Sequence, residues 1–137
     1  TIVEILREQG KLDEAAEMQK KVLQIFRKTV GPQSMETARA LYITGILLMD
    51  QDRNEKAIKK FEKSLAIYRE VVGGEHDQVA TILFSMAVCK DREGDLNGGE
   101  EWLREACSIF TKRGITDESA QDAADMLARL EGSGDLW

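Results

Sequence analysis

A basic surplus, a long apolar run and a histidine cluster are all missing from this chain, and each absence removes a class of function. Its 19 Lys and Arg face 25 Asp and Glu, a formal net charge of -6 at pH 7. That argues against a nucleic-acid surface, because phosphate-backbone binding draws on a net supply of cations. No stretch approaches the roughly 18 consecutive apolar residues of a membrane span, so no membrane insertion is expected. His76 is the one histidine. A single imidazole cannot specify a metal site, and beside the turn "GGEHD" it reads as a polar residue at a helix N-terminus. Neither "GEHDQ" nor "EGDLNGG" carries the Gly-rich loop followed by Lys-Ser/Thr that cradles phosphates. Glu36, Glu75, Asp77 and Asp91 are scattered, with no pair constrained as acid and base. No catalytic residue, metal or cofactor is assigned, and the chain is read as a non-enzyme.

Proline is nearly absent as well, Pro32 being the one example, and the only low-complexity stretch lies at the very end. Hydrophobic residues make up 42% and charged residues 32%, a globular composition. There are two cysteines, Cys89 and Cys107, each in an amphipathic segment. They read as reduced core thiols, which suits an intracellular, soluble protein, cytoplasmic or organellar. The chain opens at Thr1 within a helical pattern, as an excised fragment would.

What is present is repetition. "QGKLDEAAEMQKKVLQIF" from Gln9 returns as "QDRNEKAIKKFEKSLAIY" from Gln51 and "EGDLNGGEEWLREACSIF" from Glu93. The step is 42 residues for Gly10, Asp52 and Gly94, for Ala15, Ala57 and Gly99, and for Leu23, Leu65 and Cys107. Ile25, Ile67 and Ile109 keep it, as do Phe26, Tyr68 and Phe110. Gly31 and Gly73 match too, with Gly114 one residue early. A common offset at so many apolar positions defines a repeat protein.

Within each copy the period is helical. Ala57, Phe61, Ser64, Leu65, Ile67 and Tyr68 form one apolar stripe that ends at Val71-Val72-Gly73-Gly74, where glycine permits the chain to leave a helix. Seven helices are predicted, over 1–9 and about 12–28, 34–50, 53–70, 77–92, 95–112 and 117–131. Gly45 sits in mid-helix at a cost of up to about 1 kcal/mol, so a packing reason is expected there. Gln121, Asp122, Asp125 and Arg129 supply the polar outer face of a closing helix. Lys56, Lys59, Lys60 and Lys63 lie along one side of a helix with Glu55 and Glu62, a solvated face or else a ligand site. Trp102 and Phe110 read as core, with an exposed docking face as the alternative.

The segments "GKLDEAAEMQKKVLQI" and "NEKAIKKFEKSLAIY", with "VGPQSMETARALYITGILL" and "VGGEHDQVATILFSMAV", resemble a tetratricopeptide array in its long 42-residue, kinesin light chain-like form. The resemblance covers Thr1 to about Leu130. It implies an all-α fold, a right-handed superhelix of antiparallel helix pairs. Its parts are a partial first repeat over 1–30, repeats over 31–72 and 73–113, a capping helix over 114–131 and a flexible tail over 132–137. Kinesin light chains usually carry Leu-Asn-Asn-Leu-Ala in the first helix of a pair, where this chain has Tyr42-Ile43 and Phe84-Ser85. That peptide clamp is absent, and the basic clamp of chaperone-binding relatives is not evident.

In such a superhelix the first helix of each pair lines the concave side. Leu41, Gly45 and Leu48, then Leu83, Met86 and Ala87, are assigned to packing. The residues turned away form the candidate groove: Arg39, Tyr42, Ile46 and Met49 from one helix, Thr81, Phe84, Val88 and Arg92 from the next. Glu4, Arg7 and Glu8 extend the row before them, Ala124 and Ala128 after. An apolar trough edged by arginines implies a protein or peptide partner, a largely apolar or amphipathic segment. The role expected is a scaffold that tethers or regulates an enzyme. The alternatives are a spacer or self-associating homo-oligomer, or a cargo adaptor of a transport machine.

Overall fold

Single side chains mark where the helices begin. Ser34 Oγ accepts a hydrogen bond from the Thr37 amide at 3.1 Å and opens α3, Met35–Asp50. His76 Nδ1 accepts from the Gln78 amide at 3.1 Å and opens α5, Asp77–Arg92. Asp117 Oδ1 accepts from the Ala120 amide at 3.0 Å ahead of α7, Glu118–Asp135. Each satisfies an amide that the helix itself leaves without an acceptor. The lone histidine is therefore a cap. The structure, a computed structural model, describes residues 2–135.

The remaining helices are α1 (Ile2–Glu8), α2 (Leu12–Thr29), α4 (Asn54–Val72) and α6 (Glu100–Lys112), making seven α-helices among the described residues. Two departures from the predicted spans have local causes. Residues 95–99 do not join α6. Asp95 Oδ1 accepts from the Gly98 amide at 3.1 Å and winds Leu96–Gly99 into a 3-10 turn, and Asn and Gly are poor helix formers. At the other end, α7 runs on to Asp135, past the boundary read at 131. Glycine there weakens a helix without forbidding it. Leu136 and Trp137 lie outside the described residues.

The repeat register reappears in the backbone. Gly10, Asp52 and Gly94 close α1, α3 and α5, with φ of 75°, 61° and 78°. Asp52 is the one non-glycine residue with positive φ among the described residues. Its carboxylate accepts from Asn54 Nδ2 at 3.1 Å. Left-handed backbone costs a residue bearing a Cβ roughly 1–2 kcal/mol. Asp52→Gly is expected to be more stable than Asp52→Ala by about 1 kcal/mol in urea unfolding, since both lose the carboxylate and only glycine fits the dihedral.

Each helix packs on the next, and α3 also touches α5, as α5 touches α7. The seven helices thus stack in pairs as a tetratricopeptide-like solenoid, with α1, α3, α5 and α7 in one layer and α2, α4 and α6 in the other. Polar links run along the first layer. Arg7 pairs with Asp50, Arg92 Nη1 donates to the Met49 carbonyl at 3.0 Å, and Arg129 Nη2 pairs with Asp91 at 2.9 Å. Gln121, Asp122 and Asp125 are exposed, as a closing helix requires, whereas Arg129 turns back to α5. The main core joins Phe61, Tyr68, Leu83, Met86, Leu103 and their neighbours. A smaller cluster of Val3, Ala15 and Leu47 sits under α1. Cys89 is buried, Cys107 half-buried, and both are free. Trp102 is half-buried against the core.

Candidate functional site

The eight residues assigned to the groove divide by exposure. Arg39 and Arg92 are exposed. Tyr42, Ile46, Thr81, Phe84 and Val88 are half-buried, the four apolar ones resting against the main core. Met49 is buried at 9% exposure, so it belongs with the packing residues. Leu48, assigned to packing, is instead half-buried at the opposite surface of α3. The helical phase explains the exchange: residues 48 and 49 are about 100° apart, and the true boundary of the packed face passes between them.

Tyr42 spans three helices. Its ring meets Phe61 of α4 with centroids 5.7 Å apart and planes tilted by 44°. Burial raises the phenol above its ordinary pKa, while hydrogen bonding to Ser85 of α5 and the nearby Arg7 act the other way. At the far end of the row, the Arg92 hydrogen bond to Met49 ties α5 to α3. The two arginines do not meet over one trough. Arg39 borders a hollow of about 220 Å³ with Val22, Phe26 and Ile43, and Arg92 borders another, of about 490 Å³, with Asp52 and Glu93. Arg39 also lies beside Tyr68 and partly offsets the effect of burial on that phenol.

A larger hollow, about 710 Å³, opens on the other layer between α2 and α4. Lys56, Lys59, Lys60 and Lys63 line it, together with Lys20 of α2. The sequence displayed the α4 lysines as a stripe, but only packing sets Lys20 opposite them and puts Leu48 beneath.

No group of three or more His, Cys, Asp or Glu side chains is placed to hold a metal ion among the described residues. No helix there is long and apolar enough to cross a membrane.

These paired, register-locked helices define a solenoid, a class of fold that presents extended surfaces for binding. The chain belongs to the tetratricopeptide repeat family, which matches residues 44–112 and, in a second form of the repeat, residues 1–34. Tetratricopeptide domains are in general non-catalytic scaffolds for protein–protein interaction, and that general role is the one the family supports for this chain. No curated protein matches the sequence. Among solved structures, a kinesin light chain-like protein of nearly identical TPR-like repeats from Podosopora anserina superposes with a TM-score of 0.82 at 19% identity, over 93% of this chain and 61% of that one. A second form of the same protein gives 0.82 at 18% identity, with the same coverage. BtubC (BKLC) from P. vanneervenii gives 0.73 at 14% identity, over 99% of this chain and 63% of that one. The likeness is one of fold, and the chain spans under two thirds of each of those structures.

Proposed function

We propose that the face shared by α3 and α5 docks a largely apolar or amphipathic segment of a partner protein, so that the array tethers or regulates whatever carries that segment. One observation carries the reading. Tyr42, Ile46, Phe84 and Val88 stay half-buried in the first layer of helices, and Arg39 and Arg92 are exposed on the same two helices. Apolar side chains left open in a polar frame mark contact surfaces more often than bare solvent. The arginines suit acidic residues flanking an apolar stretch. A reducing intracellular compartment agrees with two free cysteines.

Titration calorimetry against a panel of amphipathic peptides tests this. A peptide that binds the parent should lose about tenfold or more in affinity to Phe84→Ala, a typical anchor loss. Thr81→Glu should weaken it too. The Thr81 hydroxyl donates only within its own helix, to the Asp77 carbonyl at 3.2 Å, so this change spares the fold. Tyr42→Ala is a poorer probe, because Tyr42 packs on Phe61. Unchanged binding in both variants would show that the groove lies elsewhere.

Self-association is the second reading, and one feature favours it. Ile2, Ile5, Ile25 and Val30 are exposed, Ile25 at 57%, while its repeat counterparts Ile67 and Ile109 are buried. A mass that rises with concentration in light scattering, and stays monomeric in Ile25→Lys, would place copies of the chain on this edge.

A further inference from the structure

The hollow between α2 and α4 lies on the opposite layer from the proposed docking face, and its construction is that of a binding site. Ala16 and Leu23 of α2, Thr44 and Leu48 of α3, and Ala66 of α4 give it an apolar floor. The spacings are helical on all three sides: 16, 20 and 23, then 44 and 48, then 56, 59, 60, 63 and 66. One face of each helix therefore meets the same trough. Both outer helices pack on α3, which forms the bottom.

Its charge runs against that of the rest of the molecule. The chain carries a net charge of -6, yet Lys20, Lys56, Lys59, Lys60 and Lys63 line this hollow with Glu62 as the one acidic residue. Among the described residues none of the five lysines has a carboxylate within ion-pair distance, although Arg7, Arg69, Arg104, Lys112, Arg113 and Arg129 are all paired. Lys60 is half-buried, and its pKa is lowered by burial first and then by Lys63 and Arg27. Unpaired cations gathered over an apolar floor repel one another, and an anionic occupant relieves that repulsion.

The spacing selects the occupant. At about 1.5 Å per residue, the stripe from Lys56 to Lys63 extends roughly 10 Å, about two helical turns. A small anion engages one or two ammonium groups, whereas carboxylates at i, i+4 and i+7 of a second helix match the whole stripe. We propose that the trough between α2 and α4 is a second docking site, and that it takes an acidic amphipathic helix of a partner protein. The apolar side of that helix lies over Leu48 and Ala66, and its carboxylates meet Lys59, Lys60 and Lys63.

The probe is a fluorescein-labelled 18-residue helix of Leu, Ala and Glu, with leucines at i, i+3, i+4 and i+7, read by anisotropy against the full chain. Its partner probe has Lys in place of every Glu. The acidic peptide should bind, lose about tenfold in affinity between 50 and 300 mM salt through screening, and outbind the basic one. The triple change Lys59→Glu, Lys60→Glu, Lys63→Glu should abolish binding, with helicity retained in circular dichroism. Ala66→Arg separates seating from general attraction. It adds positive charge but fills the trough, so binding falls if the peptide sits there and rises if the attraction is unspecific. Asp122→Asn, on the exposed face of α7, should leave this binding unchanged. Absence of binding, equal binding of both peptides, tighter binding to Ala66→Arg, or loss in Asp122→Asn would each overturn the proposal. So would a dimer in light scattering that the triple change dissolves, which would make a second copy of the chain the occupant.

Discussion

Phe61→Ala is expected to destabilise the fold by about 3–5 kcal/mol, the usual cost of emptying an aromatic core site. Phe61 has no exposed surface, joins α4 to α3, and supports the Tyr42 ring. Its partner is a missing side chain. A Cβ built on Gly45 would lie 2.5 Å from Phe61 Cε1 and 2.7 Å from Cδ1, closer than atoms tolerate. Gly45→Ala should therefore cost about 1–3 kcal/mol through overpacking, despite about 1 kcal/mol of better helix propensity. One repeat further on, the same two positions hold Ala87 and Leu103, both fully buried. The two copies share volume differently at this pair: no side chain with a ring in one, a methyl with leucine in the next. Gly45→Ala combined with Phe61→Leu copies the second solution and should come within about 1 kcal/mol of the parent, so the two changes couple. Urea unfolding of the four proteins reads the cycle. Additive losses would mean that Gly45 is not held by Phe61.

Cys89 should resist alkylation. Burial pushes its thiol up to about 11 from 9.0, with Arg92 opposing and Glu93 adding. At pH 8 the thiolate population of folded Cys89 then falls about 100-fold below that of the unfolded chain, before any loss of access is counted. Iodoacetamide at pH 8, followed by mass spectrometry, should modify Cys107 first, because Cys107 is half-buried and Cys89 is not exposed at all. Cys89 should react only when urea opens the array. Stability follows the same thiol. The unfolded chain releases this proton at lower pH than the folded one, so stability is lost as pH rises from about 9 towards 11 and is unaffected by this group at neutral pH. Rapid labelling of Cys89 in native buffer would place it outside the core.

The helices and their order could be read from the residues alone, because those properties repeat, whereas their stacking in pairs was implied by the resemblance to tetratricopeptide arrays. Ala15, Ala57 and Gly99, or Gly10, Asp52 and Gly94, state the register without any coordinates, and the backbone returns it as three positive dihedrals at one step. Gly45 was legible too: a glycine in mid-helix demands a close neighbour, although only packing names Phe61. The surfaces were less legible. One residue of helical phase moves a side chain by about 100°, and that was enough to place on the groove Met49, which is buried, and to assign wholly to packing Leu48, which opens on the opposite surface of α3. Lys20 and Lys60 belong to one trough only because α2 and α4 lean on the same helix 20 to 40 residues away in the chain. Periodicity reports which side of a helix is apolar. Which neighbour covers that side, and where two such sides leave a gap, depends on contacts between elements, and those exist only once the solenoid has closed around its core.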